Sequence, residues 1–172
     1  MSPEVGEILT AWTIRLAVGS YLARVLIDVS GGSDERSQRL ARNLWTAGCA
    51  LYLLHVAAAF HFFHGWSHAH AWRFTAEQTR AVIGLDWGGG LYVNHAFTAL
   101  WVADVLAWWR SGTAYPRKRR RIYWTVQTIF AFMVLNATVV FGPPIWKWVA
   151  AAVCVLLAGS YLSRRARTGR GV

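Results

Sequence analysis

This 172-residue sequence predicts an all-α integral membrane protein, a single domain (1–172) built as a bundle of five transmembrane helices. Three observations carry that fold class. Hydrophobic residues make up 55% of the chain, and eleven of its residues are tryptophan, far from a soluble average. Five apolar stretches, 8–29, 44–64, 91–109, 122–141 and 145–162, reach or approach the roughly 20 helical residues that cross a ~30 Å hydrocarbon core. Basic residues collect in alternate connections between those stretches. No period-2 alternation runs through them, so the backbone must satisfy its polar groups as helices and not as an outer-membrane barrel.

In chain order, stretch 8–29 lacks the basic leader and small-residue cleavage site of a secretory signal. It therefore reads as a retained helix with a short acidic tail holding Glu4 and Glu7. Stretch 44–64 follows a loop carrying Arg36, Arg39 and Arg42. Residues 65–90 then form the one long connection. Thr75 with Gln78 three residues on has the capping-box pattern, and Gly84 suits a C-cap, so a short surface helix is expected over 76–83. "DWGGG", residues 86–90, reads as a turn into the third span; three glycines also permit close backbone approach to a ligand. "PRKRRR" separates spans three and four, and "GPPIW" is short enough to make spans four and five a helical hairpin. Cys49 and Cys154 fall within spans and read as small packing residues.

Orientation follows from charge. Arg36, Arg39, Arg42, Arg110, Arg117, Lys118, Arg119, Arg120, Arg121, Arg164, Arg165, Arg167 and Arg170 lie on one side, against Arg73, Arg80 and Lys147 on the other. The positive-inside rule then predicts N-out/C-in topology, with loop 65–90 outside. Trp12, Trp66, Trp72, Trp87, Trp146 and Trp148 form an outer aromatic belt, and Trp45, Trp108, Trp109 and Trp124 an inner one. The net charge of +10 is thus a topology signal, with no nucleic-acid role implied. The expected partners are the lipid bilayer, anionic lipids at the basic cytoplasmic loop 117–121, and membrane-protein partners or further copies of the chain. The expected location is a bacterial cytoplasmic (inner) membrane, multi-pass.

The chemistry-bearing residues gather at one depth. Ionisable groups within a span cost about 2.5–3.5 kcal/mol each at the helix centre and usually face protein. Arg15, His61, His95 and Asn136 all fall in the outer leaflet on this topology, with His64 one turn above His61 and Asn94 beside His95. "HFFHGWSHAH", residues 61–70, holds His61, His64, His68 and His70, four of the chain's six histidines. If the helix runs on past Gly65, His61, His64 and His68 share one face. His55 points elsewhere, and His70 is assigned to the loop. Neutral imidazole is the commonest donor to metal and haem iron.

Two cofactor readings, a proton or small-solute pathway through the same polar cluster, and one bland reading follow. A b-type haem would use His61 or His64 with His95, Arg15 facing a propionate and Asn136 nearby. A copper, zinc or iron site would use His61, His64, His68 and His95, with Asp86 or Glu77 from the loop. In the bland reading the histidines are an interfacial collar and cross-helix ties, and the protein is a non-catalytic scaffold or accessory subunit. The haem arrangement loosely resembles four-helix membrane cytochromes b. Two-haem members carry two histidines on each of two helices, whereas span three here has only His95 and spans four and five have none, so one haem near the outer face is the most the resemblance implies. Nucleophile elbow, phosphate loop and HExxH patterns are missing, so any catalysis would come from the metal. Towards the cytoplasmic side, Arg24 is expected to pair with Asp104, with Gln127 able to join and Asp28 snorkelling to the boundary.

Overall fold

The computed structural model describes residues 3–168, and among them every regular element is helical. The helices are α1 (Pro3–Val29), α2 (Glu35–Phe62), α3 (His68–Ile83), α4 (Gly90–Ser111), α5 (Tyr115–Lys118), α6 (Arg120–Leu135) and α7 (Ile145–Thr168), with a π-helical segment, Asn136–Val140, between α6 and α7. Three helical stretches are long and apolar enough to cross a membrane: α2, α6 continued through the π-helical segment, and Ile145–Ala166 of α7. At 1.5 Å per residue, the 27 residues of α1 and the 22 of α4 also have membrane length. Their apolar character is diluted by Arg15, Arg24 and Asp28 in α1 and by Asn94, His95 and Asp104 in α4. A lipid environment suits the outward faces. On α7, Trp148, Val155 and Leu156 are all more than 60% exposed, and a helix apolar on its outside is stable only in an apolar solvent.

Several hydroxyls within the helices are satisfied locally. Thr13 donates to the Leu9 carbonyl at 2.7 Å, Thr79 to Thr75 at 2.8 Å and Thr138 to Val134 at 2.7 Å. A back-bond of this kind removes the penalty of an unpaired hydroxyl in a medium with no water. At the start of α2 the donor is backbone instead: Asp34 accepts from the Ser37 amide at 3.0 Å and so caps the helix.

Contacts divide the chain into two compact units, and α1, α2 and α4 contribute residues to both. The first takes the chain up to Ser20 and Thr46–Ala107. Its interior is an aromatic cluster in which Tyr52 meets Phe97 edge-on at 5.3 Å and Trp101 at 5.4 Å, joined by buried Ala17, Cys49, Ala58 and Leu91. The second takes Tyr21–Trp45 and the chain from Trp108. There Trp45 packs on Phe130 at 4.5 Å and Tyr21 lies 5.8–6.0 Å from both. The two cysteines are free, Cys49 buried and Cys154 exposed.

The long connection departs most from expectation. The surface helix does not start at residue 76 but at His68, so α3 is twice the predicted length. Ser67 is its N-cap, accepting from the His70 amide at 3.2 Å. Thr75 caps nothing: its hydroxyl back-bonds to Ala71 at 2.9 Å inside the helix. His70 accordingly lies in a helix and not in a loop. Gly84 closes α3 as expected, in the left-handed region at φ 75°, its amide bonded to the Arg80 carbonyl.

Candidate functional site

The histidine segment is shaped by a break in the chain. α2 stops at Phe62, and Gly65 (φ 53°) and Trp66 (φ 60°) both turn left-handed. The Trp66 amide reaches back to the Phe60 carbonyl at 2.9 Å and closes that turn. His61, His64 and His68 therefore do not line one helix face as a continuous helix would require; His61 ends α2, His64 sits in the turn and His68 begins α3. Glycine takes a positive φ freely, but for tryptophan it is strained by about 1–3 kcal/mol. Trp66 is held there by its ring, 6.2 Å from Phe60, and by a hydrogen bond to His61 Nδ1 at 3.3 Å.

The break redistributes the imidazoles around Phe60. His64, His95 and His68 have ring centroids 5.6, 6.1 and 6.5 Å from the Phe60 ring. The closest approach is between α3 and α4: His68 Nε2 lies 3.1 Å from His95 Nε2, with the rings 5.3 Å apart and inclined at 47°. Tyr92, one turn before His95, flanks His68 at 5.7 Å. A second pair, His64 and His70, stands 5.5 Å apart. His64 Nδ1 is buried and has no hydrogen-bond partner among the described residues.

The remaining predicted site residues have neighbours of their own. His61 packs on Phe62 at 4.7 Å and accepts from Trp66. Arg15 is exposed, its guanidinium 5.3 Å over the Trp12 ring one turn earlier on the same helix. Asn136 belongs to the second unit, donates to the Phe132 carbonyl at 2.9 Å, and heads the π-helical segment. His55 Nδ1 is 2.9 Å from the Thr10 carbonyl. Among the described residues no three His, Cys, Asp or Glu side chains gather closely enough to hold a metal ion. Asp86 instead meets Arg80 at 3.6 Å. The glycine turn serves packing: a Cβ on Gly88 would fall 2.5 Å from the Trp72 ring, so the close approach there is to tryptophan.

The second unit has a polar centre of another kind. Arg24 is fully buried, its guanidinium carbon 4.7, 4.9 and 5.4 Å from the rings of Tyr123, Trp45 and Trp108. It donates to Gln127 Oε1 and to the Tyr123 hydroxyl, and pairs with Asp28 at 3.3 Å. Tyr123 in turn donates to Asp28 at 2.5 Å. Gln127 joins as anticipated. Asp28 does not snorkel away but neutralises the cation from one turn along the same helix. Asp104 is buried in the first unit. The Arg24 NH groups, the Tyr123 hydroxyl and the Asp28 carboxylate all end on side chains of this centre, while Arg24 Nε and Gln127 Nε2 are buried without a partner among the described residues.

Ser67 and the His64–His70 pair were missed in the sequence, although a serine directly before a helical run is the signal that would have found the first. Comparison with known protein families, with curated proteins and with solved structures returns no match. The fold and the site together define a helical protein with membrane-length helices and a paired-imidazole centre beside its surface helix.

Proposed function

We propose that the chain is a five-span, N-out/C-in protein of a bacterial inner membrane that binds one transition-metal ion at its outer face, with His68 and His95 as protein ligands. The observation that carries this is the 3.1 Å Nε2–Nε2 separation. With metal–imidazole bonds of about 2.0–2.1 Å, two ligands on one metal stand about 2.9 Å apart at a right angle and about 3.3 Å apart in a tetrahedron. The 3.1 Å separation lies between the two, and without a metal it is that of an N–H···N hydrogen bond between the rings. Axial ligands on opposite faces of a haem would stand about 4 Å apart on the same bond length, with the macrocycle between the rings. The geometry of this pair therefore favours a bare copper, zinc or iron ion over haem b. His64, beside the same phenylalanine and carrying an unpartnered Nδ1, is the nearest further donor. Exposure of His68 leaves room for water or substrate in the remaining positions. The five-span reading is supported by the lengths of α1 and α4 and by the segregated basic residues, and it brings anionic headgroups to loop 117–121. Partner subunits or a second copy would cover apolar faces such as that of α7.

The test is metal content by mass spectrometry after loading detergent-purified protein with Cu, Zn or Fe(II) and desalting. About one equivalent is expected in the wild type and less than a tenth of that in H68A and in H95A, with H55A unchanged. Equal retention in all four proteins would overturn the assignment. A Soret band in the purified protein would return the reading to haem.

A further inference from the structure

A second site is built from charge alone, in the other unit. α4 ends at Ser111, Gly112 turns the chain at φ 69°, and α5 follows at once. The loop is anchored by Tyr115, 1% exposed and stacked 5.9 Å from Trp108, and by amides bonded back to Gly112, Ala114 and Tyr115. On this scaffold Arg110, Ser111, the basic run 117–121 and Ile122 line an open cavity of about 840 Å³. Six of its eight lining residues are cations and none is an acid.

Among the described residues no carboxylate is shown paired with them. The second unit contains three carboxylates: Asp28 pairs with Arg24, Glu35 with Arg39 at 3.4 Å, and Asp34 caps α2. From residue 105 to the end of the sequence there is no Asp or Glu at all. Six cations lining one cavity repel one another, and charges closer than about a Debye length are poorly screened from each other at physiological salt. An anion from outside the chain would relieve that repulsion.

We propose that this cavity is a binding site for a phosphate group. Five of the six cations are arginine, whose planar fork of donors matches phosphate oxygens two at a time, and the Ser111 hydroxyl adds a neutral donor. The cavity is open and larger than one phosphate needs, which leaves room for a ligand that carries the phosphate on a larger body. Ile122 gives the lining an apolar edge. Phosphodiester lipid headgroups and soluble phosphates share this chemistry. The inference rests on the membrane reading only for its lipid arm and is independent of the His68–His95 centre, so loss of metal binding leaves it standing.

The experiment is native mass spectrometry of the full chain in detergent, titrated with dioleoyl-phosphatidylglycerol, with dioleoyl-phosphatidylcholine and, separately, with pyrophosphate. Saturable phosphatidylglycerol binding, at least tenfold tighter than phosphatidylcholine and weakened at least tenfold in R117Q/R120Q, is the expected result and identifies a lipid ligand. Saturable pyrophosphate binding with the same loss identifies a soluble one. The control is R36Q/R165Q, which removes the same charge elsewhere in the unit and should keep affinity within twofold. Equal weakening in the two double variants would reduce the cavity to diffuse charge and overturn the proposal, as would a protein that binds neither probe. R119Q alone, expected to weaken binding about threefold, serves if R117Q/R120Q does not purify as a folded protein.

Discussion

Removing the buried cation of the second unit should uncover how strongly its neighbours depend on it. In R24M the Asp28 carboxylate, 21% exposed, loses the counter-charge 3.3 Å away. At an effective dielectric constant of 20 that attraction is worth about 5 kcal/mol, before the desolvation of both ions is set against it. Breaking one side of such a pair typically costs about 3–5 kcal/mol because the partner is left buried and uncompensated. For a chain of this size each kcal/mol moves the melting temperature by roughly 2–4 °C, so R24M should melt roughly 6–20 °C below wild type. R24M/D28L should recover most of that fall, since a buried pair replaced by apolar side chains is commonly neutral or better. Recovery will be incomplete: Tyr123 and Gln127 each lose a partner, at about 1–3 kcal/mol per unsatisfied group. The assay is tryptophan fluorescence on heating in detergent, where Trp45 and Trp108 report directly on the site. If the double variant melts at or below R24M, the pair is not what holds Arg24 in place and the argument fails.

Two further expectations concern local backbone and pH. Gly19→Ala, on an exposed position inside α1 with no atom within 4 Å of the new methyl, should stabilise by up to about 1 kcal/mol through helix propensity; Gly84→Ala, at φ 75°, should destabilise by about 1–2 kcal/mol. Paired melting temperatures that shift in the same direction would contradict this. At the start of α2, the hydrogen bonds from Ser37 hold the Asp34 carboxyl below its usual value. Capping is then fully present above the unfolded carboxylate range and is lost as pH falls through the lowered folded value. The protection factor of the Ser37 amide, its exchange corrected for the intrinsic pH dependence, should fall only in that acidic window, and D34A should abolish that fall.

Much of the helical architecture was legible because its signals are local. Apolar runs, GPPIW and Gly84 each act through neighbouring residues, and α1, α2, α4 and α7 fall within a few residues of the expected ranges at most ends. The main shortfall was α2, whose start moved back to Glu35 because a polar first turn capped by Asp34 shows no apolar signal. α3 was misjudged because only the Thr75–Gln78 pattern was read as a cap and Ser67 was not considered. Thr75 and Ser67 both precede helical residues, and only the left-handed turn at Gly65 and Trp66 makes Ser67 the start. A tryptophan at positive φ has no sequence signature, because the ring contacts that hold it come from Phe60 and His61 in three dimensions.

The sequence by itself determined that the chain is helical, that it carries apolar stretches of membrane length, that its basic residues are segregated, and that imidazoles concentrate in 61–70. Those properties are sums over residues or short spacings. Which imidazoles meet was decided only by tertiary structure. His68 and His95 are 27 residues apart in the chain and 3.1 Å apart at Nε2, because α3 folds back beside α4. The same holds for Arg24, whose hydrogen-bond partners Tyr123 and Gln127 lie about a hundred residues away. Contact between distant residues depends on how helices pack, and packing is a property of shapes meeting in space that no local pattern records.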